Sequence, residues 1–249
     1  FRQEQQVLLK DSFFYLNLAK KVIVAKAHNQ MTLLRRYNRT AALPEVCAAI
    51  DEILVLHRHI FRCSTNERIM GYEGAIAKIY FRALGMLVPE EFAFTGRSKR
   101  PPLDAFNAML SFGYTLLMYD IYTVLHNEGL HPYFGFLHAL KKGHPALASD
   151  LMEEWRAVLV DSMVLSLVHH HEIKPEHFKR AMDDAAGGIF LTREGRAIFL
   201  RAYEKKMKTV NKYVEGKHSY RRTLSYQARQ YAQALMAQNE EMYDPIALR

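Results

Sequence analysis

Cysteine is nearly missing from this 249-residue chain, which has only Cys47 and Cys63. Both lie in segments that read as helical, and neither has the spacing of a zinc clip or a disulfide framework. A disulfide-stapled secreted scaffold is thereby excluded, and a reducing cytoplasm fits. A long uninterrupted apolar run is lacking too: the most apolar stretch, residues 157–168, is broken by Asp161 and falls short of the roughly 20 residues of a spanning helix, so no membrane partner is expected. The opening residues Phe1-Arg2-Gln3-Glu4-Gln5-Gln6 do not have the basic-then-apolar pattern of a signal peptide, and without an initiating Met the chain is expected to be a fragment. Strand-type alternation, internal repeats and low-complexity linkers are absent. With 49% hydrophobic residues, enough for a full core, these absences leave one all-α domain over 1–249 as the economical expectation.

What the chain does have is positive charge. A formal net charge of +8 favours a polyanionic partner, because clustered Lys and Arg displace counterions from phosphates. Simple solubility explains the same number, so position must decide.

Apolar residues at three- and four-residue spacing, Phe13, Leu16, Ala19, Ile23, Ala27 and Met31, predict a helix with one buried face. Pro44 opens a second, running toward Ile60, and a third starts near Asn66, read as its cap, and continues through Ala83. Between Val88 and Leu103, Pro89, Gly96, Pro101 and Pro102 stand among Arg97, Lys99 and Arg100, which predicts an exposed basic loop. Helical periodicity resumes at Asp104 and stops after Asn127, at Glu128-Gly129-Leu130 followed by His131-Pro132. Further helices are expected over 133–141, 146–170, 176–184, 193–214 and 219–238, with a turn at Gly187-Gly188.

Candidates for chemistry are acidic and imidazole groups in apolar surroundings. Glu73 sits in Gly71-Tyr72-Glu73-Gly74-Ala75, where an ionised side chain is costly unless paired or metal-bound; a surface or paired carboxylate explains it equally well. His138, in Gly135-Phe136-Leu137-His138, is by itself better read as a satisfied core histidine. Asp150 and Glu153 stand one helical turn apart and can share a face, although an acidic first turn would look the same. Hard oxygen donors with one imidazole suit Mg2+ or Mn2+ better than structural zinc. Consecutive histidines at His169, His170 and His171 point in different directions and cannot converge on one metal. Arg97, Lys99 and Arg100 form the best local phosphate-binding cluster, whereas the pairs Arg35-Arg36, Lys205-Lys206 and Arg221-Arg222 read as solvated helix faces.

Several ordered segments together resemble the helical catalytic domain of the CRISPR adaptation integrase, the first of the CRISPR-associated proteins. They are Lys26-Ala27-His28-Asn29-Gln30, the Gly-Tyr-Glu-Gly segment around Glu73, Arg100-Pro101-Pro102-Leu103-Asp104-Ala105-Phe106-Asn107, Leu110-Ser111-Phe112-Gly113-Tyr114, Gly129-Leu130-His131-Pro132, Gly135-Phe136-Leu137-His138 and Asp150-Leu151-Met152-Glu153. Their spacing also matches, with Glu73 65 residues before His138 and Glu153 15 after it. The resemblance implies metal ligation by Glu73, His138 and Glu153, with Asp150 supporting the site or handling protons. Glu154 is an alternative at the last ligand position, and Glu153 is preferred because it shares the face of Asp150. It further implies a metal-dependent DNA endonuclease and integrase that inserts spacers into a CRISPR array, a 3′-hydroxyl attacking the target phosphate. DNA and the small ferredoxin-like second adaptation protein are the implied partners. A complete member would also carry an N-terminal β-rich domain through which it forms a homodimer, and nothing in residues 1–249 reads as one. A helical DNA-binding or assembly module with an inactive site is the competing expectation, and a phosphohydrolase of small phosphate esters is a third.

Overall fold

The structure, a computed structural model, describes residues 1–10, 12–181, 187–213 and 216–248. The all-α expectation holds for the bulk of these residues, and most of the long helices begin at a capping side chain or a proline. A short α1 (Arg2–Leu8) leads to α2 (Phe13–Ala41), where the Ser12 hydroxyl accepts from the Tyr15 amide. Pro44 opens α3 (Pro44–Ile60) from the N1 position, where its missing N–H is no loss. Thr65 rather than Asn66 caps α4 (Asn66–Met86), which frees the Asn66 amide to hold the Phe136 carbonyl at 2.7 Å. Asp104 caps α5 (Ala105–Asn127), and Gly129 at φ +68° closes it. The next helix is one continuous run: α6 (Ala146–Trp155), a wider π-helical turn (Arg156–Asp161) and α7 (Ser162–His169). Last come α8 (Arg193–Lys208) and α9 (Tyr220–Ala237).

α2 packs against α3, α4 and α6, while α5 lies against α6 and α9, so α6 is enclosed between layers. All ten residues of α6 are buried. By length and composition α5 is also the one described helix apolar enough to cross a membrane. Here it is an interior element: Phe106, Leu110, Leu117, Ile121 and Leu125 enter the core, and only the outer side, with Tyr119 67% exposed, faces out.

Three expected helices need correction. Residues 133–141 form an irregular loop, because the amides of Phe136, Leu137 and His138 donate to the Asp150 carboxylate instead of to carbonyls one turn back. In the 176–184 segment, a 3-10 turn at Pro175–His177 gives way to β1 (Phe178–Arg180), paired antiparallel with β2 (Ile189–Leu191) in the register Phe178↔Leu191; residues 182–184 lie outside those described. The predicted helix 193–214 stops at Lys208, after which β3 (Val210–Tyr213) pairs with β4 (Gly216–Ser219). β-Branched Val210 and the following polar residues do better in a hairpin than in a helix with no further face to bury. Cys47 is in α3 as expected, but Cys63 falls in the turn after it, and both thiols are free.

The segment after α9 returns across the molecule as a strap. Asn29 Nδ2 donates to the carbonyls of Glu154 and Ile246 at 2.9 and 2.8 Å, and Leu248 N donates to Asn29 Oδ1 at 2.7 Å. Under it lies Glu154, wholly buried, with Tyr243 Oη donating to one carboxylate oxygen and Ile246 N to the other at 2.6 Å. Burial outweighs those donors and pushes the Glu154 carboxyl up to about 8.

This packing sets two expectations for stability. Leu117→Ala should cost about 2–5 kcal/mol in urea unfolding, whereas Tyr119→Ala, two residues away on the outer side, should stay within about 0.5 kcal/mol. The second concerns pH. Because an unfolded glutamate titrates near about 4.3, the folded chain keeps a proton on Glu154 that the unfolded chain has lost between there and about pH 8. Stability should therefore fall as pH rises through that window and level off above it. Glu154→Gln should flatten the decline in urea midpoints measured across the same range.

Candidate active site

Four carboxylates, Asp150, Glu153, Glu154 and Asp161, are buried along the α6–π–α7 run, and each finds different partners. Asp150 is fully buried and serves as the hub of the 135–138 loop: Oδ2 accepts from Phe136 N at 2.6 Å and Leu137 N at 2.9 Å, and Oδ1 from His138 N at 3.0 Å. The His138 ring completes the cage through Nδ1, 2.5 Å from Asp150 Oδ1. That contact fixes the ring's direction and leaves Nε2 as its other coordinating atom. Burial pulls the imidazole pKa down, but the hydrogen bond and charge of Asp150 outweigh it and leave it raised. Gly135 is required here, since any side chain would meet the Asp150 carboxylate and lie within 2.9 Å of the Ala146 backbone.

One turn on, Glu153 projects into a different environment. Arg156, its neighbour at i+3, donates from Nε and Nη2 to the two carboxylate oxygens at 3.0 Å each, a bidentate pair. Lys26 Nζ, from α2, donates to Glu153 Oε2 at 2.6 Å and also to Glu73 Oε1 from α4. Burial would raise the Glu153 pKa, but Arg156 and Lys26 hold it well below the usual carboxylate range. Burial likewise opposes the charge on Lys26, and Glu153 and Glu73 more than restore it.

These groups line a cleft of about 890 Å³. Of the seven residues singled out by sequence, Glu73, His138, Glu153, Arg97, Lys99 and Arg100 face it, while Asp150 stands behind His138. Glu154 points away, to the strap, so the choice between the adjacent glutamates falls on Glu153 by position. The basic loop is less free than expected. Arg97 donates to Asn107 Oδ1 at 2.8 Å and Ser111 Oγ at 2.9 Å, and its Nε is buried without a partner. Lys99 and Arg100 are exposed. Although solvent reaches it, the cleft walls partly desolvate the Lys99 ammonium, and this, with Arg156 and Arg97 nearby, lowers its pKa.

Beneath the cleft, Asp161 accepts from Tyr80 Oη at 2.7 Å and Tyr114 Oη at 2.5 Å. The guanidinium carbons of Arg156 and Arg97 lie 4.5 and 5.4 Å from the Tyr114 ring centre, so Tyr114 props both arginines.

Among the described residues no three His, Cys, Asp or Glu side chains stand together as a ready-made metal cluster. The donor set nevertheless suits a hard divalent cation. Glu73 and Glu153 already converge on one cation, the Lys26 ammonium, beside an imidazole oriented by Asp150. Gln30, also lining the cleft, has a buried Oε1 with no hydrogen-bond partner. The three histidines at the end of α7 diverge: His169 Nε2 meets the Leu87 carbonyl at 2.8 Å, and His171 reaches Glu91 at 3.4 Å.

Sequence reasoning gave no role in the site to Lys26, Gln30 and Tyr114, which it quoted only within the segments that carry the resemblance, nor to Arg156, Tyr80 and Asp161. Lys26 did carry a signal, a lone charge in the run Val22-Ile23-Val24-Ala25-Lys26-Ala27; so did Asp161, within the most apolar stretch of the chain. No local pattern pointed to Tyr80.

Residues 1–205 match the family described as CRISPR associated protein Cas1. The chain is 39% identical over 226 residues to the CRISPR-associated endonuclease Cas1 of Mycobacterium tuberculosis (strain H37Rv), covering 90% of this chain and 65% of that one. It is also 39% identical over 236 residues to CRISPR-associated endonuclease Cas1 3 of Thermus thermophilus, covering 94% and 67% respectively. A chain of a Cas6-RT-Cas1–Cas2 complex superposes with a TM-score of 0.87 at 26% identity over all of this chain and 27% of that one. A casposase bound to integration product shares the fold, with a TM-score of 0.84 at 23% identity over 98% of this chain and 67% of the other. By sequence and by fold, this chain belongs to the Cas1 family of CRISPR-associated proteins.

Proposed function

We propose that the chain is the catalytic domain of a divalent-metal-dependent DNA endonuclease and integrase that joins new spacer DNA to a CRISPR array. One observation carries the reading: Glu73 and Glu153, from separate helices, converge on a single cation beside the Asp150-oriented His138, in a cleft rimmed by Arg97, Lys99 and Arg100. The names of the relatives, endonucleases over most of this chain, support it. A solved neighbour assembled with Cas2 supports that small second adaptation protein as a partner of the complete protein; DNA and a second copy of the chain are the further partners of this reading.

Glu73, His138 and Glu153 would hold Mg2+ or Mn2+, which supplies Lewis-acid polarisation of a phosphoryl oxygen and stabilises charge on the attacking and leaving oxygens. The chain's own residues do the rest. Lys99 and Arg100 draw the DNA backbone in by charge, and Arg97, anchored on Asn107 and Ser111, adds its charge from the cleft wall. Arg156 keeps the Glu153 carboxylate ionised and aimed. Asp150 retains the proton at His138 Nδ1, so that Nε2 presents its lone pair. In spacer joining, a 3′-hydroxyl attacks the target phosphorus and the displaced 3′-oxygen departs. With water as nucleophile, the same displacement is cleavage.

The Lys26 ammonium seated between the two carboxylates favours a second reading, a DNA-binding module with an inactive site. Labelled branched DNA in Mn2+ separates the two. The enzyme reading expects EDTA-sensitive cleavage or strand transfer, lost in Glu73→Ala, His138→Ala and Glu153→Ala with DNA affinity largely kept; binding without turnover in the parent chain overturns it. Asp150→Asn should weaken Mn2+ binding by about 10–100-fold, as measured by calorimetry. Lys99→Ala and Arg100→Ala should each lower the slope of log affinity against log salt by about one, uniformly across DNA sequences.

A further inference from the structure

We propose that Lys26 is a resident counter-cation: its ammonium and a divalent metal exclude one another between Glu73 and Glu153, so that Lys26 must leave the acidic pair before the site can load. The proposal rests on the metal-site reading above and adds an internal antagonist to it.

The grounds are geometric. Glu73 on α4 and Glu153 on α6 are brought together by a lysine from a third helix, α2, only 6% exposed. Arg156 already covers both oxygens of Glu153, and the further approach to Oε2 is taken by Lys26 Nζ at 2.6 Å. A second cation bridging the same two carboxylates would therefore have to stand where Nζ stands, against a like charge in a poorly solvated place. Without either cation, two carboxylates would face each other at the edge of the core, which is costly. Lys26 thus keeps the metal-free site assembled, and it has somewhere to go. Its four-carbon stem lines the open cleft, and Gln30, one helical turn along α2, offers a buried Oε1 with no partner as an acceptor for the displaced ammonium.

The consequence is a calculable handicap. If the lysine vacates the pair only about a tenth of the time, apparent metal affinity falls about tenfold relative to a site without it. Lys26→Met should accordingly bind Mn2+ about tenfold more tightly than the parent in calorimetry or by Mn2+ electron paramagnetic resonance. Without metal, its Tm should lie below that of the parent, and saturating Mn2+ should restore it. A second measurement uses the unaltered chain: the rate at which an amine-acylating reagent labels Lys26, followed by mass spectrometry, should rise several-fold when Mn2+ saturates the site, with Lys10 and Lys208 as exposed references.

Equal or weaker Mn2+ binding by a folded Lys26→Met overturns the proposal, and so does Lys26 labelling that stays level or drops in saturating Mn2+. Failure of both chains to bind Mn2+ overturns the metal-site reading and this proposal with it. Tight Mn2+ binding by Lys26→Met without any DNA cleavage upholds the exclusion while overturning the catalytic reading.

Discussion

Four acidic side chains buried along a single helical run cannot stay there unless each is answered, and the rest of the molecule is arranged to do so. Asp150, Glu153, Glu154 and Asp161 are at most 5% exposed. An uncompensated buried charge costs several kcal/mol, a sizeable part of the stability of a whole domain. The loop at 135–138 closes over Asp150, α2 and Arg156 attend Glu153, the C-terminal strap covers Glu154, and α4 with α5 supply hydroxyls to Asp161. The π-helical turn fits the same demand, because widening the helix just past Glu153 changes the direction in which Arg156 and Asp161 leave it.

The four solutions differ in stiffness, and that difference bears on function. Backbone amides hold Asp150, Asp150 holds the His138 ring, and the adjoining glycine admits no side chain, so this half of the site is preorganised. Glu153 is gripped by Arg156, but what joins it to Glu73 is the end of a long flexible lysine. On the proposed reading, one rigid wall and one removable cation would let the site remain folded when empty of metal and still accept it.

Much of the helical plan was legible in local chemistry. Caps and stops such as Ser12, Pro44, Asp104 and Gly129 act through the backbone within a few residues, and a sequence displays such effects directly. The 133–141 loop was not legible, because its amides are taken by a side chain 12 to 14 residues away. Nor were the hairpins of three and four residues, too short to build an alternating pattern against the helical background. Within the site, the order and spacing of Glu73, His138 and Glu153 brought out the candidates. Asp150, set apart from them in the sequence as a supporting acid, stands behind His138 in the structure.

By itself, then, the sequence determined the helical class, the chemical types in the site and the family to which they belong. All of these rest on local periodicity, capping and linear motif order. Only the tertiary structure decided which of two adjacent glutamates faces the cleft and which is buried beneath the strap, and only it revealed Lys26 between Glu73 and Glu153. The physical reason is that the fate of a buried charge depends on what packs against it. For these groups the partners lie far along the chain: 127 residues separate Lys26 from Glu153, and 92 separate Glu154 from Ile246.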